Sequence, residues 1–391
     1  MSEVKQVYLD NNATCMVSPG VRDAMLPFFG ELYGNPSSMH NFGGQVAVHV
    51  KAAREKVAAL LNVSPDEIVF TSCGTESDNH AIRGVLEANP EKRHIVTTKV
   101  EHPAVLNVYR FLAKKKGYRV TELEVSKQGD LDLDQLREAL TPDTAILSVM
   151  AANNETGTLF PIDEIGAIAR EKGVIFHTDA VQAVGKIPLD LKKIQCDLLS
   201  LSGHKLHTPK GIGALYIRKG TRISPFMIGG HQENGRRAGT ENVPYVIALG
   251  KACEEAMNDI FDENNRVRKL RDKLEEGLLS VIRQAHINGN PRWRLPNTTN
   301  IGFEAVEGEA ILLHLSAAGI AASSGSACTS GSLEPSHVLM AMQTPFSYAH
   351  GSVRFSLSKF TTEEEIDYTL KVVPSVIQKL REMSPFYDPN K

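Results

Sequence analysis

Short runs of β-branched and other apolar residues alternate with longer helical segments between residues 62 and 218. Apolar runs bounded by chain breakers predict buried strands, and helices between them predict a mostly parallel sheet with helices on both faces. The predicted strands are residues 67–71, 94–98, 119–125, 145–150, 174–178, 197–201 and 213–217. The predicted helices are residues 76–88, 103–116, 133–140 and 161–172. Ligands of such sheets bind at the carboxyl ends of the strands, so reactive residues are expected directly after them.

The fold class predicted from this pattern is α/β, with a large domain built on a mostly parallel seven-stranded sheet. A charged amphipathic segment at residues 262–283 predicts a connecting helix. Beyond it, strands at 299–303 and 352–355 and helices at 308–318 and 362–383 predict a smaller α+β unit. With 391 residues the chain can form more than one core. We predict a large domain over residues 15–260 and a small domain made of residues 1–14 and 261–391.

The amino-acid composition excludes few functions, but it limits the kinds of binding partner that can be expected. The 43 lysines and arginines nearly balance the 46 aspartates and glutamates, which gives no electrostatic reason to expect nucleic acid or an anionic membrane. No run of about 18 apolar residues occurs and the first residues lack an apolar signal core, so we expect a cytoplasmic protein. The five cysteines form no Cys-x-x-Cys pair, which supports neither a disulfide framework nor a thiolate zinc site.

Lys205 is the first candidate for chemistry, because it follows the predicted strand at 197–201. A lysine at a buried strand end can be partly desolvated, which lowers its pKa and favours the free amine. Asp179 and Gln182 follow the strand at 174–178 in the same way. A lysine for a Schiff base and a carboxylate for a pyridine nitrogen are what a pyridoxal phosphate enzyme needs. The alternatives are a solvated surface lysine and an aspartate that caps the next turn.

The segment Thr71-Ser72-Cys73-Gly74-Thr75-Glu76-Ser77 joins a predicted strand to a helix. Its glycine, its hydroxyls and the helix N-terminus can hold a phosphate, although the hydroxyls could also merely cap the helix. Ser202 and His204 would add donors beside Lys205. His102, after the strand at 94–98, could stack on a flat cofactor or be an ordinary satisfied polar group.

A Gly/Ser-rich stretch at residues 322–332 carries one thiol, Cys328. Its composition predicts a mobile loop, at about residues 322–335, whose thiol is either incidental or a carrier that visits two places. Arg354 is a charge inside an apolar strand. It needs a partner, either a substrate carboxylate in bidentate contact or a structural salt bridge.

These residues together resemble the cysteine desulfurases, relatives of the class V aminotransferases with fold type I of the pyridoxal phosphate enzymes. The stretch around Cys328 is similar to that of the group with NifS and IscS, and residues 229–239 are closest to the nitrogen-fixation (NifS) branch. Cys15 stands where relatives usually have a threonine, and we interpret it as structural. The resemblance rests on motifs spread over nearly the whole chain: Tyr8-Leu9-Asp10-Asn11-Asn12-Ala13-Thr14, Gly34-Asn35-Pro36-Ser37-Ser38, Thr75-Glu76-Ser77-Asp78-Asn79, Glu101-His102-Pro103, Ala152-Asn153-Asn154-Glu155-Thr156-Gly157, Asp179-Ala180-Val181-Gln182, Gly203-His204-Lys205, Arg237-Ala238-Gly239-Thr240-Glu241-Asn242 and residues 323–336.

The resemblance implies a role for each matching residue. Lys205 forms the Schiff base with pyridoxal 5'-phosphate, Asp179 pairs with the pyridine nitrogen, and Gln182 contacts the ring oxygen. His102 stacks on the ring and takes part in catalysis, and Thr240 reaches the phosphate of the other subunit of a homodimer. The remaining roles are phosphate contacts from Gly74, Thr75, Ser202 and His204 with Gly203 beside them, a place near ring and substrate for Asn153, and substrate-carboxylate contacts from Asn35 and Arg354.

The activity implied is removal of sulfur from L-cysteine, which yields L-alanine and a persulfide on Cys328. The NifS likeness implies an iron–sulfur scaffold similar to NifU or IscU as sulfur acceptor, nitrogenase cluster maturation as the purpose, and Cys328 as a transient iron–sulfur ligand through its persulfide. Two alternatives remain at this stage. One is another activity of fold type I, such as a selenocysteine lyase or an aminotransferase, although an aminotransferase has no use for Cys328. The other is a non-catalytic sulfur carrier or scaffold.

Overall fold

The computed structural model describes residues 5–324 and 335–388. The strands are β1 (Val7–Tyr8), β2 (Ile68–Thr71), β3 (His94–Thr98), β4 (Arg119–Leu123), β5 (Thr144–Ser148), β6 (Ile175–Asp179), β7 (Leu198–Ser202), β8 (Gly213–Ile217), β9 (Ala285–Ile287), β10 (Thr298–Phe303), β11 (Ile320–Ala321) and β12 (Ser352–Ser356). The helices are α1 (Pro19–Met25), α2 (Asn41–Leu61), α3 (Gly74–Ala88), α4 (Pro103–Lys116), α5 (Leu133–Ala139), α6 (Ile162–Glu171), α7 (Val243–Asp262), α8 (Arg268–Val281), α9 (Gly308–Ala317), α10 (His337–Ala341), α11 (Phe346–His350) and α12 (Glu363–Glu382).

Seven of the described strands form one sheet in the order β2-β8-β7-β6-β5-β3-β4. Neighbours are parallel except for β8, which runs antiparallel to both β2 and β7. The predicted α/β class with a mostly parallel sheet is confirmed, and each strand of this sheet lies within two residues of its predicted bounds. β4 ends at Leu123, before the predicted end, because the chain turns there and Val125 bridges to Leu131.

The register of the sheet brings several strand ends to one edge. Asp179, the last residue of β6, lies beside Ser200 of the parallel strand β7. β7 ends at Ser202, and the 3₁₀ turn Gly203–Lys205 follows at once. β2, parallel to β7 with β8 between them, ends at Thr71 just before α3 begins. The carboxyl ends of these strands therefore meet where the sequence predicted reactive residues.

The longest helices flanking this sheet are α2 and α7, and neither is among the predicted elements. α2 buries a stripe of small side chains, Val46, Val50, Ala53 and Val57, at helical spacing. Gly250 of α7 packs directly on this stripe, since a Cβ there would lie 2.6 Å from the Cα of Ala53. Valine and glycine have low helix propensity, so packing between the two helices must decide their structure. No described helix has both the length and the apolar character needed to span a membrane.

A second core forms around an antiparallel sheet in the order β12-β10-β9. α8, α9 and α12 contribute Leu274, Ile311 and Val373 to it, and Leu9 joins from the N-terminal segment. That segment reaches the second core because β1 pairs in parallel with β11. The predicted connecting helix is observed as α8, joined to α7 by the π-helical turn Glu263–Val267. The predicted bounds of the two domains stay a prediction.

Candidate active site

A cavity of about 400 Å³ opens at the carboxyl ends of β2, β6 and β7. It is bounded on the other side by Arg354 of β12 and by the N-terminal segment, so it lies where the two cores meet. Its lining residues are Asp10, Asn12, Ala13, Cys73, Gly74, Thr75, Asp78, His102, Met150, Ala152, Asn154, Glu155, Asp179, Val181, Gln182, Ser202, His204, Lys205, Ser323, Ser324 and Arg354.

Lys205 reaches this cavity from the turn after β7. Its Nζ donates to the backbone carbonyl oxygens of Asn12 and of Ala13, the latter at 2.7 Å. Burial, together with the positive charges of Lys186 and Arg354, lowers the pKa of Lys205 to about 8. The amine is still mostly protonated at neutral pH, but its unprotonated fraction is far larger than that of an exposed lysine, which favours a nucleophilic or basic role.

Asp78 and Asp179 are two of the four acidic residues that line the same cavity. Asp179 accepts a hydrogen bond from the backbone N–H of Val181 at 2.9 Å, and burial raises its pKa. Asp78 of α3 is almost fully buried, and its Oδ1 has no hydrogen-bond partner among the described residues. Burial and the nearby charge of Asp179 raise the pKa of Asp78 well above its usual range. Two buried carboxylates this close resist ionising together, so Asp78 is the neutral member and Asp179 the one available to a cation.

Gln182 lies between Lys205 and the back of the cavity. Its Nε2 donates to the carbonyl oxygen of Asn12 at 3.0 Å, and its Oε1 accepts from Nζ of Lys186 at 3.3 Å. Since an ammonium can only donate, the amide orientation is fixed by chemistry. The donor end of Gln182 therefore faces the same carbonyl as the Lys205 amine.

An anion-binding cup lies at the N-terminus of α3. Gly74 is its first residue, and a Cβ there would lie 2.8 Å from Val181, so only glycine leaves the cup open. Ser202 is buried, and its Oγ has no partner among the described residues. His204, whose pKa burial lowers to about 4, and Thr75 complete the ring of donors. Free N–H groups at a helix start next to an unpartnered hydroxyl are suited to a phosphate.

His102 caps α4 with its own side chain. Its Nδ1 accepts from the backbone N–H of Ala104 at 3.1 Å, so the other ring nitrogen carries the proton of the neutral form. Burial lowers the pKa of His102, which favours that neutral form. Its ring lines the cavity, where it can contact a planar ligand and exchange protons.

Arg354 is held by two partners and keeps one donor free. It donates to the carboxylate of Asp10 at 2.7 Å and to the carbonyl oxygen of Asn154 at 3.0 Å. Its Nε is buried and has no hydrogen-bond partner among the described residues. Both alternatives for this arginine thus have support, because a structural salt bridge exists and the side chain also lines the cavity, where a carboxylate could bind.

Two described residues lie at the ends of the stretch that carries the predicted thiol. Ser324 lines the cavity, and Ser336 donates to the carboxylate of Glu155, another lining residue. Burial raises the pKa of Glu155 to about 7, although the bond from Ser336 and the charge of Arg354 oppose this. Cys328 and its predicted roles as sulfur acceptor and iron–sulfur ligand lie outside the described residues. The described part of the chain holds no cluster of three or more His, Cys, Asp or Glu side chains that could bind a metal ion.

Four predicted residues do not line the cavity. Asn153 is buried behind its wall, where Nδ2 donates to the carbonyl of Val100 and Oδ1 accepts from the N–H groups of residues 155 and 156. The side-chain amide of Asn153 therefore stabilises the loop through these hydrogen bonds. The neighbouring Asn154 lines the cavity instead. Gly203 allows the turn to pack closely against Thr208, because a Cβ at this position would collide with the Thr208 side chain. The other two, Asn35 and Thr240, are exposed and lie away from the cavity of their own chain.

Other lining residues were not assigned a role from the sequence. Asp10, Asn12, Asp78 and Glu155 all stand inside the quoted motifs, yet no local pattern separates a cavity-facing residue from its neighbours. The signal that identifies them is spatial, namely burial of a polar side chain or a carbonyl turned towards Lys205. The cavity thus combines an amine of lowered pKa, a carboxylate, an amide and an anion-binding cup. This set of groups fits a ligand that has a phosphate and a cationic ring.

Comparisons with known proteins agree with this geometry. The profile of the family described as "Aminotransferase class-V" matches residues 7–369. A protein from Nostoc sp. described as cysteine desulfurase is 60% identical over 380 residues, which cover 97% of this chain and 95% of the relative. The "Cysteine desulfurase NifS" of Azotobacter vinelandii is 58% identical over 385 residues, 98% and 96% of the two chains. A solved NifS-like protein superposes with a TM-score of 0.91 at 41% identity, covering 96% of this chain and all of its own.

Proposed function

Because this chain belongs to the class-V aminotransferase family, we propose that it is a cysteine desulfurase of fold type I, dependent on pyridoxal 5'-phosphate. It converts L-cysteine to L-alanine and leaves the sulfur as a persulfide on its own thiol. The observation that carries this proposal is one cavity in which Lys205, Asp179, Gln182 and an anion cup converge at strand ends.

The cofactor fits the residues present. Asp179, with one oxygen held by Val181, would pair with the ring nitrogen, and Gln182 would donate to the ring oxygen. The unpartnered hydroxyl of Ser202 and the start of α3 would hold the phosphate, next to His204. When bound, pyridoxal phosphate supplies a ring that withdraws electrons from the α-carbon of an amino acid.

The protein's own residues direct the substrate and its protons. Arg354, anchored by Asp10, lines the cavity and offers its guanidinium to the substrate carboxylate. The amine of Lys205, whose pKa lies at about 8, takes the α-proton. The neutral ring of His102 is placed to exchange a second proton.

Sulfur transfer needs a thiol in addition to these groups, and we assign that role to Cys328. Its thiolate attacks the sulfur of the substrate, an S–S bond forms, and the C–S bond breaks. The electron pair of the broken bond stays with carbon, which takes up a proton and leaves as the methyl group of alanine. L-Cysteine and an enzyme thiol thus balance L-alanine and an enzyme persulfide without an external oxidant. Support comes from the position of Ser324 and Ser336, which bring both ends of the stretch to the cavity.

The partners follow from the same proposal. Thr240 is exposed and does not line the cavity of its own chain, which suits a residue that completes the anion cup of a second copy in a homodimer. The sulfur acceptor is an iron–sulfur scaffold similar to NifU or IscU, and the persulfide on Cys328 could ligate iron in passing. The likeness to the Azotobacter protein named NifS supports nitrogenase cluster maturation as the purpose.

The deciding experiment incubates the purified protein with L-cysteine and a thiol reductant in the absence of any keto acid. Equimolar sulfide and alanine are expected, with no product from the Lys205→Ala variant. Consumption of cysteine that requires an added keto acid, such as 2-oxoglutarate, and converts that keto acid to its amino acid would indicate an aminotransferase instead. A protein that binds no pyridoxal phosphate and releases no sulfide would favour a non-catalytic carrier.

A further inference from the structure

Lys186 is a buried lysine for which the reaction described above has no use. Only 6% of its surface is exposed, and it follows Gln182 by four residues in the turns after β6. Its Nζ donates to Oε1 of Gln182 at 3.3 Å and to Oδ1 of Asn12 at 3.4 Å. A buried ammonium is costly unless its partners compensate it, so the identity of these partners bears on what Lys186 does.

The two partners of Lys186 are also the partners of the reactive groups. The backbone carbonyl of Asn12 accepts from the Lys205 amine and from Nε2 of Gln182. The side-chain carbonyl of the same asparagine accepts from Lys186 and from Nδ2 of Asn297 at 3.1 Å. One residue of the N-terminal segment thus links the buried ammonium to both the lysine and the amide that face the cavity.

The contact with Lys186 determines which way the Gln182 amide points. In the observed orientation the carbonyl end of Gln182 meets the ammonium, and the NH₂ end faces the carbonyl of Asn12. The flipped orientation would set NH₂ against an ammonium and oxygen against oxygen, which loses two hydrogen bonds and adds repulsion. Lys186 and the Asn12 carbonyl therefore together keep the donor end of Gln182 on the side of Asn12 and Lys205.

A small space lies beside Lys186. It encloses about 20 Å³, enough for one water molecule. Oε2 of Glu263, which reaches this space from the π-helical turn, is buried without a hydrogen-bond partner among the described residues. A water here would join the carboxylate of Glu263 to the ammonium of Lys186. The titratable groups that line the space are Cys15, Lys186, Lys205, His207, Asp259, Glu263 and Lys359.

We propose that Lys186 is a positioning residue for the reaction, which fixes the amide of Gln182 and disfavours a second positive charge on Lys205. The inference rests on the proposed function and deepens it. After burial, the charge of Lys186 is the largest cause that lowers the pKa of Lys205. Arg354 acts in the same direction from the opposite side, whereas Cys15 and Asp10 act against it. Of these cations, Lys186 alone also contacts Gln182.

The first test is a spectroscopic titration of full-length protein loaded with pyridoxal phosphate. The variants are Lys186→Met, which keeps the length of the side chain without the charge, and Lys186→Arg, which keeps the charge. The exposed Lys192→Met, six residues along the chain, is the matched control for loss of one lysine. In Lys186→Met the pH midpoint of the cofactor absorbance should rise by about one unit. Lys186→Arg should restore most of that shift, and Lys192→Met should leave the midpoint where it is.

The second test does not depend on the cofactor. After the cofactor is removed, the full chain is pulse-labelled with acetic anhydride at a series of pH values, and the modified peptide with Lys205 is quantified by mass spectrometry. The labelling midpoint of Lys205 should rise by about one unit in Lys186→Met and not in Lys192→Met. Unchanged midpoints in a Lys186→Met protein with native circular dichroism would overturn the inference. Because this readout needs no cofactor, it holds or fails separately from the proposed function.

Discussion

Arg354 of β12 and Asp10 of the N-terminal segment form an ion pair of 2.7 Å at the wall of the cavity. Both side chains are largely buried, and the pair joins residues 344 positions apart in the chain. A guanidinium fixed on one edge by a carboxylate presents its remaining donors in one direction. The salt bridge and the proposed substrate contact are thus parts of one arrangement, with Asp10 as the anchor.

Loss of this anchor should weaken substrate binding more than the chemical step. In Asp10→Asn the guanidinium loses a charge-assisted hydrogen bond, so we expect KM for L-cysteine to rise about tenfold while kcat changes little. Steady-state sulfide release at several cysteine concentrations measures both constants. Asp23→Asn, which removes the acid of an exposed ion pair with Arg22, is the matched control. A variant in which kcat falls and KM stays constant would assign Asp10 to the chemistry instead.

Replacement of the reactive lysine has a predicted spectrum as well as a predicted rate. Lys205→Ala removes the amine that lies under the Asn12 carbonyl, so the visible absorbance of the covalently bound cofactor should vanish and turnover should stop. Lys210→Ala, an exposed lysine five residues on, should keep both. The measurement is an absorbance scan of each protein after dialysis against pyridoxal phosphate. A visible band of wild-type intensity in Lys205→Ala would mean that another amine binds the cofactor.

The sequence was a good guide to those parts of the site that local pattern determines. Lys205 and Asp179 stand at the ends of buried strands, and parallel strands bring such ends together, so their meeting could be predicted before the structure was known. Gly74 could be placed in a phosphate cup because a strand, a glycine and a helix start follow one another there.

Contacts between segments that are distant in the sequence could not be predicted from such local patterns. Asn12 meets Gln182 and Lys205 across 170 and 193 residues, and nothing in its motif shows that its carbonyl would be the shared acceptor. Asn153 was assigned to the ring from its motif, yet the backbone of its own loop occupies its Oδ1 and the carbonyl of Val100 occupies its Nδ2. Helices α2 and α7 were missed for a related reason, since mutual packing at Ala53 and Gly250 stabilises them more than local propensity does.

Glu101 gives the folded protein a predictable dependence on pH. It is fully buried, with Oε1 bonded to Thr98 and to the backbone N–H of Met150, and burial raises its pKa to about 8. When the pKa of a carboxyl is higher in the folded state than in the unfolded state, the group stabilises the folded protein. This stabilisation is complete below the unfolded-state pKa and is lost as the pH rises through the folded-state pKa. The window is therefore from about pH 4.5 to about pH 8.

Glu101→Gln should flatten that dependence, because glutamine keeps the acceptor oxygen and carries no proton to lose. We expect its free energy of unfolding near pH 5 to stay close to the wild-type value, and to decline less than wild type towards pH 8. The slope attributable to one such group is at most about 1.4 kcal/mol per pH unit. This slope is measured by urea unfolding at pH 5, 6.5 and 8, at a single protein concentration. Glu138→Gln, at an exposed position, is the control. Identical slopes in all three proteins would show that Glu101 is not protonated in the folded state.

A variant of Cys328 should distinguish the cofactor-dependent steps from the sulfur-transfer step. Cys328→Ser leaves every described lining residue of the cavity intact, so we expect unchanged binding of pyridoxal phosphate and of L-cysteine. Because a serine hydroxyl cannot accept sulfane sulfur, release of sulfide and alanine should fall at least a hundredfold. Ser330→Ala alters the same stretch without loss of a thiol and should retain wild-type turnover. Mass spectrometry after a single turnover should find one added sulfur on the Cys328 peptide in wild type and in Ser330→Ala. An added sulfur on Cys73, the described thiol that lines the cavity, would move the acceptor role to that residue.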